Sequence, residues 1–346
     1  MENNNKKIAR VVCEYKGAYK VKVDSLEGGE FLARITGKQM FEALSREDYP
    51  AVGDWVVIEE LPQHQAVIKE ILHRKTIMKR KSIRENDVQI IATNIDVAFA
   101  VESVGRDFNL NRFERYFSIA REGKIKPAII LNKIDLVSEE ELKDKLQQIK
   151  NRFPDIDVIA TSILNGSGLD ELKRYIEQGK TYCFLGSSGV GKSSLINKLL
   201  GKDIIKTEDI SIYSERGKHV TTARQMYFLD GPQTNGAVVI DNPGMREVGM
   251  ADVGKGIDEM FEEISALSMQ CKYKDCTHTH ESGCKVLAGV KSGEIDKGKY
   301  QNYLNLKKEA KYYEMSDFER REKNRKFGKF LNKAKKSFKK SNYKDF

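Results

Sequence analysis

Residues 186–193 read GSSGVGKS, and the spacing G-x-x-x-x-G-K-[ST] is suited to cradling phosphate oxygens. Its glycines let successive backbone N–H groups turn inward, and the helix after the loop adds its positive N-terminus. In that setting the Lys192 ammonium reaches the β- and γ-phosphates, and the Ser193 hydroxyl becomes a ligand of Mg²⁺. A strand-like TYCFLG leads into the loop and the helical SSLINKLL leads out, a context that a chance Gly-rich turn would lack.

A phosphate loop does not select a base, but a second motif does. NKID at 132–135 follows the apolar run AIIL and matches the N-K-x-D pattern that reads guanine. Asp135 accepts hydrogen bonds from the guanine ring N–H and exocyclic amine, while the Lys133 stem lies over the base plane. Adenine would leave that carboxylate unpaired. ATS at 160–162 has the small residues of a loop that backs the base, and DNPG at 241–244 follows the strand-like AVVI as an Asp-x-x-Gly sensor of Mg²⁺ and γ-phosphate should. Between them, 205–224 is polar and unperiodic and reads as a switch loop whose Thr221 or Thr222 completes Mg²⁺ coordination.

The expected GTP-binding set is therefore Asn132, Lys133, Ile134, Asp135, Thr161, Ser162, Gly186, Ser187, Ser188, Gly189, Val190, Gly191, Lys192, Ser193, Ser194, Asp241 and Gly244. Lys192 is also expected to act in catalysis. In an ordinary GTPase the base-reading motif and its backing loop come last, whereas here they come first. A sheet tolerates this when old termini are joined and new ones are cut in an exposed loop. The order predicts a circularly permuted domain whose Asp-x-x-Gly element leads directly into the C-terminal part of the chain.

A third group is CKYKDCTHTHESGC, which spaces Cys271, Cys276, His278 and Cys284 as C-x4-C-x-H-x5-C. Four N/S ligands in so short a segment suit a closed, structural Zn²⁺ site. His280 is the alternative nitrogen ligand. The five cysteines are an odd number, which argues against a disulfide framework.

Elements must position these residues. Residues 8–72 carry five strand-like runs (IARVVCEY, AYKVKVD, EFLARI, VGDWVVIEE and QAVIKEIL), several alternating with period two. Five strands in so short a span predict a small barrel of the oligonucleotide-binding type, with an SH3-like barrel as the alternative. From about residue 80 strands and helices alternate: IDVAFAV, a stripe of Leu110, Phe113, Phe117 and Ala120, PAIILNKID, a capping box at Ser138 and Glu141, DVIATS, GLDELKRYIEQ and TYCFLG. This predicts a multidomain chain: a barrel at 1–75, an α/β P-loop GTPase domain with permuted motifs at 80–249, a helical zinc-binding domain at 250–305 and a basic extension at 306–346.

Charge is concentrated at one end. Residues 320–346 hold twelve Lys/Arg against Glu322 and Asp345, a net +10, while the 346-residue chain is +9. A near-neutral body with one basic tail suggests a localised polyanion contact, with a solubilising terminus as the bland alternative. No apolar run approaches the roughly 20 residues of a membrane span. MENNNKKIAR also lacks the apolar stretch of a signal peptide, so a cytoplasmic, membrane-free monomer is expected.

In VGDWV, ATNID, NKIDL, GSSGVGKSSLIN, RGKHVTT, DNPGMRE and the cysteine cluster, in that order, the chain resembles the bacterial ribosome small subunit-dependent GTPases. The resemblance covers about residues 5–300. It implies binding to the small ribosomal subunit and its rRNA late in assembly, with hydrolysis of GTP to GDP there. It also assigns the zinc ligands to Cys271, Cys276, His278 and Cys284, leaving His280 out. Met245 stands where many signalling GTPases carry a water-orienting Gln, and the resemblance offers His219 for that role, against a solvated loop histidine. The competing function is a nucleotide-gated RNA-binding module with negligible turnover.

Overall fold

The computed structural model describes residues 6–23, 29–81, 88–105, 108–205, 224–231, 234, 236–241, 253–316 and isolated positions between 318 and 329. Five strands close the N-terminal barrel: β1 (Lys6–Tyr15), β2 (Ala18–Val23), β3 (Glu30–Ile35), β4 (Trp55–Leu61) and β5 (Gln65–Ile71). Their order is β1-β2-β3-β5-β4, and β4 pairs back onto β1. The β3–β5 pair is parallel and the others antiparallel, the Greek-key circuit of an oligonucleotide-binding-type barrel. A short α1 (Gly37–Glu42) bridges β3 and β4, started by a capping box between Thr36 and Gln39. Ala9, Val11, Val21, Val56, Ile58 and Ile68 fill the interior.

The VGDWV segment joins the barrel to the central domain. Gly53 has φ +100°, and a Cβ there would lie 2.1 Å from the Thr93 carbonyl oxygen, so only glycine fits. Fully buried Asp54 accepts from Arg74 Nε at 2.8 Å, Arg74 Nη2 at 2.7 Å, Thr93 Oγ1 at 2.6 Å and the Ala51 N–H at 2.8 Å. Arg10 stacks over Trp55, donates to the Gly53 and Asn94 carbonyls, and reaches Thr181 Oγ1 at 2.8 Å. β6 (Ile77–Lys81) and β7 (Val88–Thr93) form an antiparallel ribbon between the domains.

The central sheet runs β10 (Val158–Thr161), β9 (Lys126–Asn132), β8 (Val97–Ser103), β11 (Thr181–Leu185), β13 (Val238–Asp241), β12 (Gln225–Phe228). All are parallel except β12, which is antiparallel to β13 and pairs with β1 through Gln225 and Cys13. The strands read as continuous apolar runs because both faces are covered. On one face Phe99, Tyr182 and Phe184 pack under α4 (Leu169–Tyr175) and α5 (Lys192–Leu200). The other face carries α2 (Leu110–Glu122) and α3 (Glu139–Arg152), where Phe113, Phe117 and Phe153 meet edge-to-face or stacked. Ser138 and Glu141 form the capping box at the head of α3.

Four helices follow: α6 (Gly254–Met260), α7 (Glu262–Ser268), α8 (Lys285–Ser292) and α9 (Lys297–Glu314). They share the α2 core through Phe261, Ile264, Tyr303, Leu306 and Ala310. At the crossing of α6 with α2, a Cβ on Gly256 would lie 2.0 Å from the Ser118 carbonyl oxygen, and the Gly256 N–H donates to Glu122 at 2.7 Å. Arg115 binds Glu309 bidentately, and Arg152 joins Glu114 to Asp296. α9 passes through residue 306 without a break, so the start of the basic extension continues this helix.

Candidate functional site

The parallel strands all end on one side of the sheet, and their loops meet there, as expected of an open α/β fold. β11 delivers the phosphate loop. Gly186, Gly189 and Gly191 have φ of +156°, +81° and +98°, and Cβ atoms at Gly186 and Gly191 would meet Val101 O at 2.3 Å and Asn132 Nδ2 at 2.4 Å. Ser187, Ser188 and buried Val190 complete the turn, and α5 opens at Lys192 with Ser193 and Ser194 in its first turn. The Lys192 ammonium donates to the carbonyls of Gly186 at 2.8 Å and Ser187 at 2.7 Å.

β9 delivers the base-reading turn. Asn132 is fully buried and donates to the Val190 carbonyl at 2.8 Å, while its own Oδ1 accepts from Thr161 Oγ1 at 3.0 Å. Lys133 adopts the left-handed conformation, φ +62°, and its ammonium reaches the Gly189 carbonyl at 2.6 Å. Ile134 starts a single 3₁₀ turn that presents Asp135, whose carboxylate accepts from the Ser162 hydroxyl. The register of β9 with β10 sets Thr161 beside Asn132. A residue outside the expected set also serves this loop: a Cβ on Gly168, φ +71°, would lie 1.8 Å from the Ala160 carbonyl oxygen. The signal for it was the N-G-S-G run at 165–168, a cluster of turn residues.

Asp241 ends β13 and is buried on the same side of the sheet. Burial raises its carboxyl above the usual range, and the Lys192 charge acts against that rise. Among the described residues, the expected set thus comes from the ends of four strands, β9, β10, β11 and β13. His219, Thr221, Thr222, Gly244 and Met245 lie outside the described residues.

The second cluster is at the turn between α7 and α8. Ligand atoms of Cys271, Cys276, His278 and Cys284 all lie within 4.8 Å of one another. Cys271 Sγ is 3.8 Å from Cys284 Sγ, and His278 Nδ1 is 3.6 and 3.5 Å from those two sulfurs. A tetrahedral ion with metal–sulfur bonds of about 2.3 Å gives S···S edges of about 3.8 Å, so this donor set can hold one such ion, with His278 offering Nδ1. Tyr300 donates to the His278 carbonyl at 2.6 Å, and the Glu281 carboxylate binds the N–H groups of Thr277, Thr279 and His280. His280 is exposed, pairs with Thr279 and stands apart from the cluster.

A family profile described as RsgA GTPase matches residues 71–251. A small ribosomal subunit biogenesis GTPase RsgA 2 of Lactiplantibacillus plantarum is 41% identical over 313 residues, covering 90% of this chain and 85% of its own. A small ribosomal subunit biogenesis GTPase RsgA 1 of Bacteroides thetaiotaomicron is 38% identical over 330 residues, covering 94% and 90%. Among solved structures, YjeQ from Thermotoga maritima superposes with a TM-score of 0.65 at 25% identity, over 87% of this chain and 97% of that one. YloQ, described as a circularly permuted GTPase, gives 0.62 at 23% identity over 90% and 96%.

Proposed function

The chain belongs to the RsgA GTPase family, and from that membership we propose that it hydrolyses GTP on the small ribosomal subunit during maturation of that subunit. The observation that carries the reading is that NKID, the backing loop and the phosphate loop are joined by hydrogen bonds into one site. Asp135 would select guanine, and Lys192 would move from the loop carbonyls to phosphate oxygens that carry more charge. Mg²⁺ would neutralise phosphate charge when bound, held by Ser193 with Asp241 nearby and one of Thr221 and Thr222. The Cys₃His cluster would hold one structural Zn²⁺. We place the molecule in the cytoplasm as a monomer; among the described residues no helix is long and apolar enough to cross a membrane.

The decisive experiment is GTP turnover with and without purified small subunits. Stimulation by orders of magnitude is expected, whereas equal rates would leave a nucleotide-gated RNA-binding module as the better description. His219 is proposed to assist turnover, because Met245 cannot orient a water. His219→Ala should lower subunit-stimulated kcat with GTP affinity little changed. Unchanged turnover would return it to an ordinary loop residue.

A further inference from the structure

A cavity of about 220 Å³ opens at the barrel joint, between the base of the β6–β7 ribbon and the C-terminus of α2. Ile77 and Ile119 give it an apolar wall, and Arg74, Lys75, Lys79 and Lys124 bring four cations against the one carboxylate of Glu122. Arg74 is neutralised by Asp54 and Lys79 by Glu47, while Glu122 accepts from the Gly256 N–H. Lys75 and Lys124 are exposed, and among the described residues no carboxylate pairs with either.

Fixed backbone presents both lysines. Each residue from 74 to 77 is tied: Arg74 to Asp54, the Lys75 N–H to Asn94 Oδ1 at 2.9 Å, Thr76 Oγ1 to the Ile95 N–H at 2.7 Å, and the Ile77 N–H to the Gly123 carbonyl at 3.2 Å. Lys124 sits in the Schellman turn that closes α2, where its N–H donates to the Arg121 carbonyl at 2.9 Å and the Ile125 N–H to the Ala120 carbonyl at 2.8 Å. Its φ of +59° is the left-handed conformation that glycine ordinarily supplies at that position. Glycine stands instead at 123, where a Cβ would lie 2.5 Å from the Ile77 carbonyl oxygen. A lysine kept in a strained conformation at the mouth of a cavity points to a use for its ammonium.

We propose that this cavity is a phosphodiester site for RNA of the small subunit, with Lys75 and Lys124 on the phosphates and the apolar wall under the sugar. The cavity is smaller than the roughly 300–1,000 Å³ that a whole drug-sized ligand occupies, so it suits one unit of a polymer better than a free nucleotide. It is also separate from the nucleotide site: β9 begins two residues after Lys124 and reaches Asn132 about 20 Å further on. The inference rests on the small-subunit reading above. If the wild-type chain binds no small subunits, that reading fails first; if it binds them and the two lysines prove irrelevant, only this inference fails.

The test uses the full chain, purified small subunits across a salt series, and GDP as the control ligand. Lys75→Gln and Lys124→Gln should each flatten the log–log salt slope of subunit binding by about 0.7–0.9, and the double variant by about twice that. The basic tail is present in every variant, so its share of the slope cancels. GDP affinity should stay within about twofold of wild type, because charges so far from the nucleotide are screened. Lys124→Gly removes the ammonium and relieves the left-handed strain, which keeps the test open should a Gln variant fold poorly. It should weaken subunit binding as Lys124→Gln does, with a Tm no lower than wild type. A wild-type salt slope in the double variant, a GDP affinity that falls together with subunit affinity, or wild-type subunit binding by Lys124→Gly would each overturn the proposal.

Discussion

The side-chain amide of Asn132 donates to the backbone carbonyl of Val190 at 2.8 Å, so the base-reading turn and the phosphate loop are one hydrogen-bonded unit. Gly191 is required at this contact, since a Cβ there would fall 2.4 Å from Asn132 Nδ2. The contact depends on which strands are neighbours and is indifferent to which motif is translated first. β8 sits between β9 and β11 and spaces the two loops, and that spacing survives the permutation of the chain.

The Asp135 carboxylate, held from one side by the Ser162 hydroxyl, is the group proposed to select guanine. Asp135→Asn should weaken GTP binding about 100-fold or more and favour xanthosine triphosphate, whose 2-oxo group accepts where guanine donates. Competition binding with the two nucleotides measures the shift. A variant that keeps the wild-type preference for GTP would remove NKID from the base-reading role.

The elements that position the site were legible where a local rule dictated them. Ser138 and Glu141 announced α3, the alternating runs announced five barrel strands, and the Cys₃His spacing brought four ligands to one point. The choice between barrel types was not legible, because it depends on the parallel β3–β5 pairing, a long-range fact. The β6–β7 ribbon escaped because Lys79, Arg80 and Lys81 mask its strand pattern, and β12 escaped although it is no shorter than β10 and β13. Gly256 was invisible for a different reason. Its role comes from what lies opposite it in space, and nothing in its own sequence neighbourhood states it.

Loss of metal should act locally. Cys284 accepts from the Leu287 N–H and starts α8, whereas α6 and α9 are anchored on α2 by Gly256, Tyr303 and Glu309. Metal analysis of cleanly purified protein should find one Zn²⁺ per chain, and Cys276→Ser should lose it. Hydrogen exchange should then rise in 269–292 and change little in α9, because metal binding is coupled to folding of the segment that it ligates. GDP binding should persist. Protein free of zinc, or a variant that retains it, would be the contrary result.

The barrel joint rests on the fully buried Asp54 and nearly buried Arg74. Asp54→Ala leaves the guanidinium and the Thr93 hydroxyl short of their partner in a site with little water. Removing one partner of such a pair costs about 3–5 kcal/mol. At roughly 1.4 °C per kcal/mol for a chain of this length, the Tm should fall by at least about 4 °C. The double variant Asp54→Ala/Arg74→Met, with no charge left to strand, should recover part of the loss. A Tm within about 1 °C of wild type in Asp54→Ala would show that the joint does not depend on this pair.

Residues 320–346 carry +10 while the rest of the chain is close to neutral. If that segment lies along ribosomal RNA, each phosphate it neutralises releases condensed counterion. Binding should then weaken with salt by a log–log slope of about −0.7 to −0.9 per contact. Deleting 320–346 should flatten the slope by several units and weaken subunit binding most at low salt. GTP hydrolysis without ribosomes should barely change, because every nucleotide motif lies upstream of residue 250. Phe327, Phe330 and Phe338 offer base stacking or helix docking as the apolar part of the contact, and stacking would leave a residual affinity that salt does not remove. The measurement is subunit binding by full-length and truncated protein across a salt series. Parallel lines would make the tail a solubilising terminus and move the RNA contact to the barrel or to the Cys₃His region.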